Sequence, residues 1–101
     1  MYFFNTPKSI VIEISTKDVA RDVIRHIMTL YKHHPLGQVN PLKYPETPDR
    51  YQLWLVDEYE SEFAPDDEMG PRDIDEEIGQ FSALAFMDNK KYKENNEKQD
   101  I

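Results

Sequence analysis

Eleven of the twenty acidic side chains of this 101-residue chain fall between residues 57 and 77, where they face a single base, Arg72. Carboxylates at that density could transfer protons, bind a cation or attract a basic partner. Acid and base catalysis needs a pocket that drives two carboxyl pKa values apart, and this run has neither an apolar cage nor a positioned nucleophile. Calcium binding fails on spacing. In Asp73-Ile74-Asp75-Glu76-Glu77-Ile78-Gly79 the glycine comes one place late for an EF-hand loop, and Leu84 stands where its bidentate glutamate belongs. His26, His33 and His34 make no zinc set, because adjacent helical histidines face apart and His26 with His33 lacks a third ligand. With glycine only at 37, 70 and 79, no phosphate loop, dinucleotide fingerprint or Gly-x-Ser-x-Gly elbow can be written. The sequence therefore predicts a non-enzyme with no catalytic residue, no metal and no cofactor. Attraction remains. Charge runs are commonly just solvated faces, but Tyr59, Phe63, Met69 and Ile74 interrupt this one. Apolar groups in an acidic surface supply the close contact that long-range attraction lacks.

The acidity is local, since outside this window the chain is slightly basic although the whole carries a formal charge of −8 and a pI near 4.7. Nucleic acid and anionic lipid need a basic footprint, so neither is expected as a partner; a basic protein surface is. Absence of cysteine excludes disulfides and thiolate metal sites and agrees with a reducing compartment. No apolar run approaches the roughly 18 residues of a spanning helix, and the start lacks a basic-then-apolar leader, which predicts a cytoplasmic protein. Length and an apolar fraction of 39% allow one domain with one core.

The elements that must hold the acidic stretch follow from pattern. Residues 2–4 should pair with residues 10–14 across Thr6-Pro7-Lys8-Ser9, as aromatic and β-branched residues flank a turn sequence. Ser15 with Asp18 three places on resembles a capping box, so a helix is expected from there. Its apolar stripe would be Val19, Val23, Ile27 and Leu30, flanked by Ala20, Ile24 and Tyr31. Lys32, His33 and His34 suit its last turn, with Pro35 and Gly37 as the stop. Four prolines at 35, 41, 45 and 48 predict an extended connection. Alternation in residues 51–56 predicts a strand that leads into the acids, and residues 81–86 a last one. Residues 89–101 are polar and without period, and read as a disordered tail behind a domain of residues 1–88. This order predicts an α+β protein of the ubiquitin-like β-grasp type, a mixed sheet packed on one helix with an acidic loop protruding from it.

Three pieces of sequence carry a likeness to a known family: Tyr51-x-Leu53-x-Leu55-x-Asp57-Glu58, then Glu62-Phe63-x-Pro65-x-Asp67, then Ile78-Gly79-x-Phe81-Ser82-x-Leu84-Ala85. The run resembles the CRIM domain (conserved region in the middle) of the Sin-type, stress-activated MAP kinase-interacting subunit of target of rapamycin (TOR) complex 2. The resemblance implies a noncatalytic module that recruits AGC-family kinases of the Akt, SGK and protein kinase C type as substrates of that complex. It places Asp57, Glu58, Glu60, Glu62, Phe63, Pro65, Asp66, Asp67 and Glu68 in the kinase-contacting loop and implies other TOR complex 2 subunits as partners. Ala64 departs from the family, where a second proline is expected, and Gln80 separates Gly79 from Phe81. The chain lacks the Ras-binding and pleckstrin-homology regions of the full subunit, so it looks like an excised domain; recruitment to the plasma membrane would reside in those parts. A Ras-associating ubiquitin-like domain that binds a small GTPase is the alternative, although its second strand should be basic and residues 10–14 carry Glu13.

Overall fold

The computed structural model describes residues 1–56, 63–81 and 83–89. It is a small α+β protein built on a three-stranded mixed sheet. Strand β2 (Tyr51–Leu55) pairs antiparallel with β3 (Leu84–Asp88), setting Leu53 against Phe86 and Leu55 against Leu84. Strand β1 (Tyr2–Phe3) lies parallel to β3 on its other side, so the order is β1-β3-β2. Because successive strand residues point to opposite faces, Phe3, Tyr51, Leu53, Leu84 and Phe86 share the buried face, and Tyr2, Gln52, Trp54 and Met87 the other. Aromatic rings fill much of that buried side: Tyr51 stacks on Phe86 at 4.8 Å between centroids, and Phe3 meets Tyr31 at 4.7 Å.

The main helix α1 (Ala20–His33) supplies Tyr31 and covers the sheet with Ala20, Val23, Ile24, Ile27 and Met28. It starts four residues later than the capping pattern predicts, with Val19 rather than Ser15 at the cap position. Ser15 and Asp18 do bond to each other, Asp18 Oδ2 accepting from Ser15 N at 2.7 Å, but the turn they make is complete in itself. Val19 then extends, at φ −90 and ψ 160, and the helix begins after it. The stripe is rotated as well, for Met28 is buried while Leu30 is 36% exposed.

Pro35 ends α1 but opens a second helix, α2 (Pro35–Val39), which holds Gly37 inside it and breaks the extended connection that the prolines suggest. Proline at a first helical position lacks only an N–H that would be unpaired anyway, and His34 Nδ1 accepts from Leu36 N at 3.1 Å. A short 3-10 turn, Pro48–Arg50, leads into β2.

The N-terminal hairpin is only begun. Phe4 and Asn5 both take positive φ, 53 and 57, and Thr6 N donates to Phe3 O at 3.1 Å, so the reversal comes earlier than Thr6-Pro7-Lys8-Ser9. Left-handed backbone costs Phe4 about 1 kcal/mol; its N–H bond to Phe86 O at 2.9 Å and its ring edge-on to Phe86 hold it there. Tyr2 bridges Ser9, yet residues 11–14 run on with no ladder partner among the described residues, and β1 takes β3 as its main partner. The last strand is likewise displaced, to Leu84–Asp88, because Ile78 fills the core first and a turn from Ile78 O to Phe81 N intervenes. Asn89, which the sequence assigns to the tail, donates from its backbone to Arg50 O at 2.7 Å; residues 90–101 lie outside the described residues.

Two phenols tie the connection to the core. Tyr31 donates to Asn40 O at 2.7 Å, and Tyr51 Oη accepts from Tyr44 N at 3.0 Å. Burial raises the pKa of both above the ordinary tyrosine value; at Tyr51 the hydrogen bond from Tyr44 works against that rise. A phenol whose folded pKa exceeds its unfolded value stabilises the fold fully below that unfolded value. The contribution is lost as pH rises through the folded pKa. Stability measured by urea unfolding should therefore fall above about pH 10, and Tyr31→Phe should make that fall shallower; an equally steep fall in the variant would trace it to other groups.

Candidate functional site

The described part of the acidic stretch, from residue 63 on, is laid along β2 rather than held out from it. Pro65 bridges Val56 and Pro71 bridges Trp54, with Asp66 N donating to Leu55 O at 2.8 Å and Arg72 N to Leu53 O at 2.7 Å. Proline suits such a margin because a strand with nothing beyond it needs no outward N–H. Between the two prolines the chain makes a tight turn. Asp66 Oδ1 accepts from Glu68 N at 3.0 Å and Met69 N at 3.3 Å, Gly70 N donates to Asp66 O at 3.2 Å, and Gly70 takes φ 70.

Beyond the turn, the segment clamps the start of α1. Ala20 N donates to Glu76 O at 2.9 Å, Arg21 N to Ile74 O at 2.8 Å, and Ile78 N returns to Asp18 O at 2.9 Å. A helix leaves its first N–H groups without intrahelical partners, and α1 has no side-chain cap; backbone carbonyls of the acidic segment do that work. Charge adds to it. Arg21 meets Asp75 at 2.9 Å, and Arg72, with only 15% of its side chain exposed, reaches Glu76 at 3.4 Å and Met69 O at 3.0 Å. Gly79 lets the end of the segment pass close to Ser15, where a Cβ would stand 1.8 Å from Ser15 O.

The nine residues that the family likeness singles out are thus divided. Asp57, Glu58, Glu60 and Glu62 lie outside the described residues. Phe63 and Pro65 are half-buried, Asp66 spends its carboxylate on the turn, and Asp67 and Glu68 stand exposed at its tip. Met69 and Ile74, 53% and 45% exposed, do not form one apolar cluster: Met69 sits in the turn, whereas Ile74 borders Arg21 and Ile24 at the helix.

What the residue pattern alone misses is a groove of about 580 Å³ on the sheet face away from α1. Gln52, Trp54 and Met87 form its floor, Pro65 and Pro71 line it from the acidic segment, and Asp67 and Asp88 bring carboxylates to it. The Trp54 indole nitrogen is buried and has no hydrogen-bond partner among the described residues. Strand alternation puts Gln52 and Trp54 on this second face, but the groove exists only because residues 64–71 fold back beside them. An apolar floor edged by carboxylates accepts a basic side chain together with its aliphatic stem. Among the described residues no group of three or more His, Asp and Glu side chains is placed to hold a metal ion, and no helix is long and apolar enough to cross a membrane. No family model matches the chain, and no curated protein or solved structure matches it either.

If Asp66 is structural and its neighbour is not, the two should respond differently to truncation. Asp66→Ala should cost about 1 kcal/mol of unfolding free energy through loss of its turn bonds, and Asp67→Ala less than about 0.5 kcal/mol. Urea titrations of both variants check this; equal losses would contradict the division.

Proposed function

We propose that this chain is a noncatalytic docking module of the ubiquitin-like β-grasp type that binds a basic protein surface through the acidic segment and the groove beside it. The proposal extends the CRIM likeness: the partners are AGC-family kinases, presented in the cytoplasm to the kinase of TOR complex 2, which performs the phosphoryl transfer. The observation that carries it is the juxtaposition of exposed Asp67 and Glu68 with a groove floored by Trp54 and Met87. The acids supply attraction at a distance, and the groove supplies the desolvated contact that makes a complex last. The β-grasp assignment is supported by a first strand parallel to the last, a following strand antiparallel to it, and a helix across the shared face. Exposed carboxylates in this role need no geometry beyond proximity to the groove.

Reversing Asp57, Glu58, Glu60, Glu62, Asp67 and Glu68 to lysine, with structural Asp66 left in place, should cut capture of a recombinant AGC kinase by at least about tenfold at 0.15 M salt. The melting temperature should stay near that of the parent. Raising salt toward 1 M should weaken the parent chiefly through slower association, since screening then acts over about 3 Å. A folded charge-reversed variant that captures kinase as well as the parent would overturn the proposal.

A further inference from the structure

The two margins of the sheet are treated differently. Beyond β2 the acidic segment closes the edge with Pro65, Pro71 and two backbone hydrogen bonds. On the β1 side the outermost chain is residues 8–14, and among the described residues nothing comparable protects it. Phe3 N donates to Lys8 O and Ile10 N to Met1 O, so the backbone groups of Lys8 and Ile10 face β1. In an extended chain the backbone groups of alternate residues point to opposite sides, so those of Ser9, Val11 and Glu13 face outward. None of these three residues makes a backbone hydrogen bond among the described residues.

Residues 10–14 show no helix, turn or bend, and their exposure alternates along the chain as it does in an extended segment. Ile10 is buried, and Ile12 and Ile14 pack against the core cluster, while Ser9, Val11 and Glu13 are exposed, Val11 at 94%. Four of residues 10–14 are β-branched, which favours a strand conformation. An anchored, extended strand with unused donors and acceptors is the template on which a further strand is added.

We infer that residues 9–13 form a β-augmentation edge that takes an extended strand from a basic partner, apolar on the face shared with Ile10 and Ile12 and basic on the face shared with Val11 and Glu13. Charge selects the occupant. Glu13 is the one ionic side chain among the exposed Ser9, Val11 and Glu13, and a second copy of this edge would set another Glu13 on the same face of the contact. The edge lies across the sheet from the acidic segment and its use does not depend on the docking function proposed for that segment.

The test is amide exchange, read by NMR on the full chain with acetyl-Lys-Val-Lys-Val-Lys-Val-amide as the probe. At a peptide concentration about ten times its Kd, exchange at Val11 and Glu13 should slow about tenfold by mass action. The same peptide N-methylated at its alternate donors should give no such protection, and acetyl-Glu-Val-Glu-Val-Glu-Val-amide should bind more weakly. Glu13→Lys should invert that charge preference without touching the core. Binding with no protection at Val11 and Glu13, equal protection by the N-methylated peptide, an unchanged preference in Glu13→Lys, or protection arising instead from dimers of this chain would each overturn the inference.

Discussion

The start of α1 is held by backbone carbonyls that belong to residues more than fifty positions away. Ala20 and Arg21 donate to Glu76 and Ile74, and without those bonds two amides at the helix start would lose their partners, the one at Ala20 inside the core. A buried amide left unsatisfied costs roughly 1 to 3 kcal/mol, a large share of the 5 to 15 kcal/mol that holds a small domain together. The same clamp sets where the helix begins and brings Ile78 into the core. It also makes the acidic segment span the molecule, from the margin of β2 to the head of α1.

That span gives one stretch of sequence two duties. Its later half is structural: carbonyls cap the helix, Asp75 and Glu76 pair with Arg21 and Arg72, and Gly79 passes Ser15 with no room for a side chain. Its turn, by contrast, offers Asp67 and Glu68 to solvent beside the Trp54 groove. A turn pinned at both ends by ladder bonds to Leu55 and Leu53 presents its charges in a fixed place, so less conformational entropy is lost when a partner arrives. The fold thereby converts a charge run into a positioned surface.

Much of the scaffold is legible in the sequence because period and core coincide there. Tyr51 and Leu53 are buried as the alternation implies, and Val23, Ile24, Ile27 and Tyr31 lie on the packed face of α1. Several of the misses share a cause, which is long-range backbone pairing that leaves no local trace. Ser15 and Asp18 satisfy a capping pattern, but Asp18 O is claimed by Ile78, and the helix waits until Ala20. Pro65 and Pro71 carry no strand signal of their own, and only the position of β2 turns them into an edge cover. Likewise Trp54 shows its half-exposed face in the alternation, while the wall that makes it part of a groove comes from residues more than ten places further on. The acidic stretch announces its charge in the sequence and conceals its division of labour.

Hydrogen exchange at individual amides tests the clamp most directly, since the first amides of a helix ordinarily exchange fast. The account predicts that Ala20 and Arg21 are protected to the same free energy as Trp54 and Phe86, opening only with the whole domain. Exchange at Ala20 and Arg21 near the rate of an unstructured peptide, with Trp54 and Phe86 still protected, would contradict it.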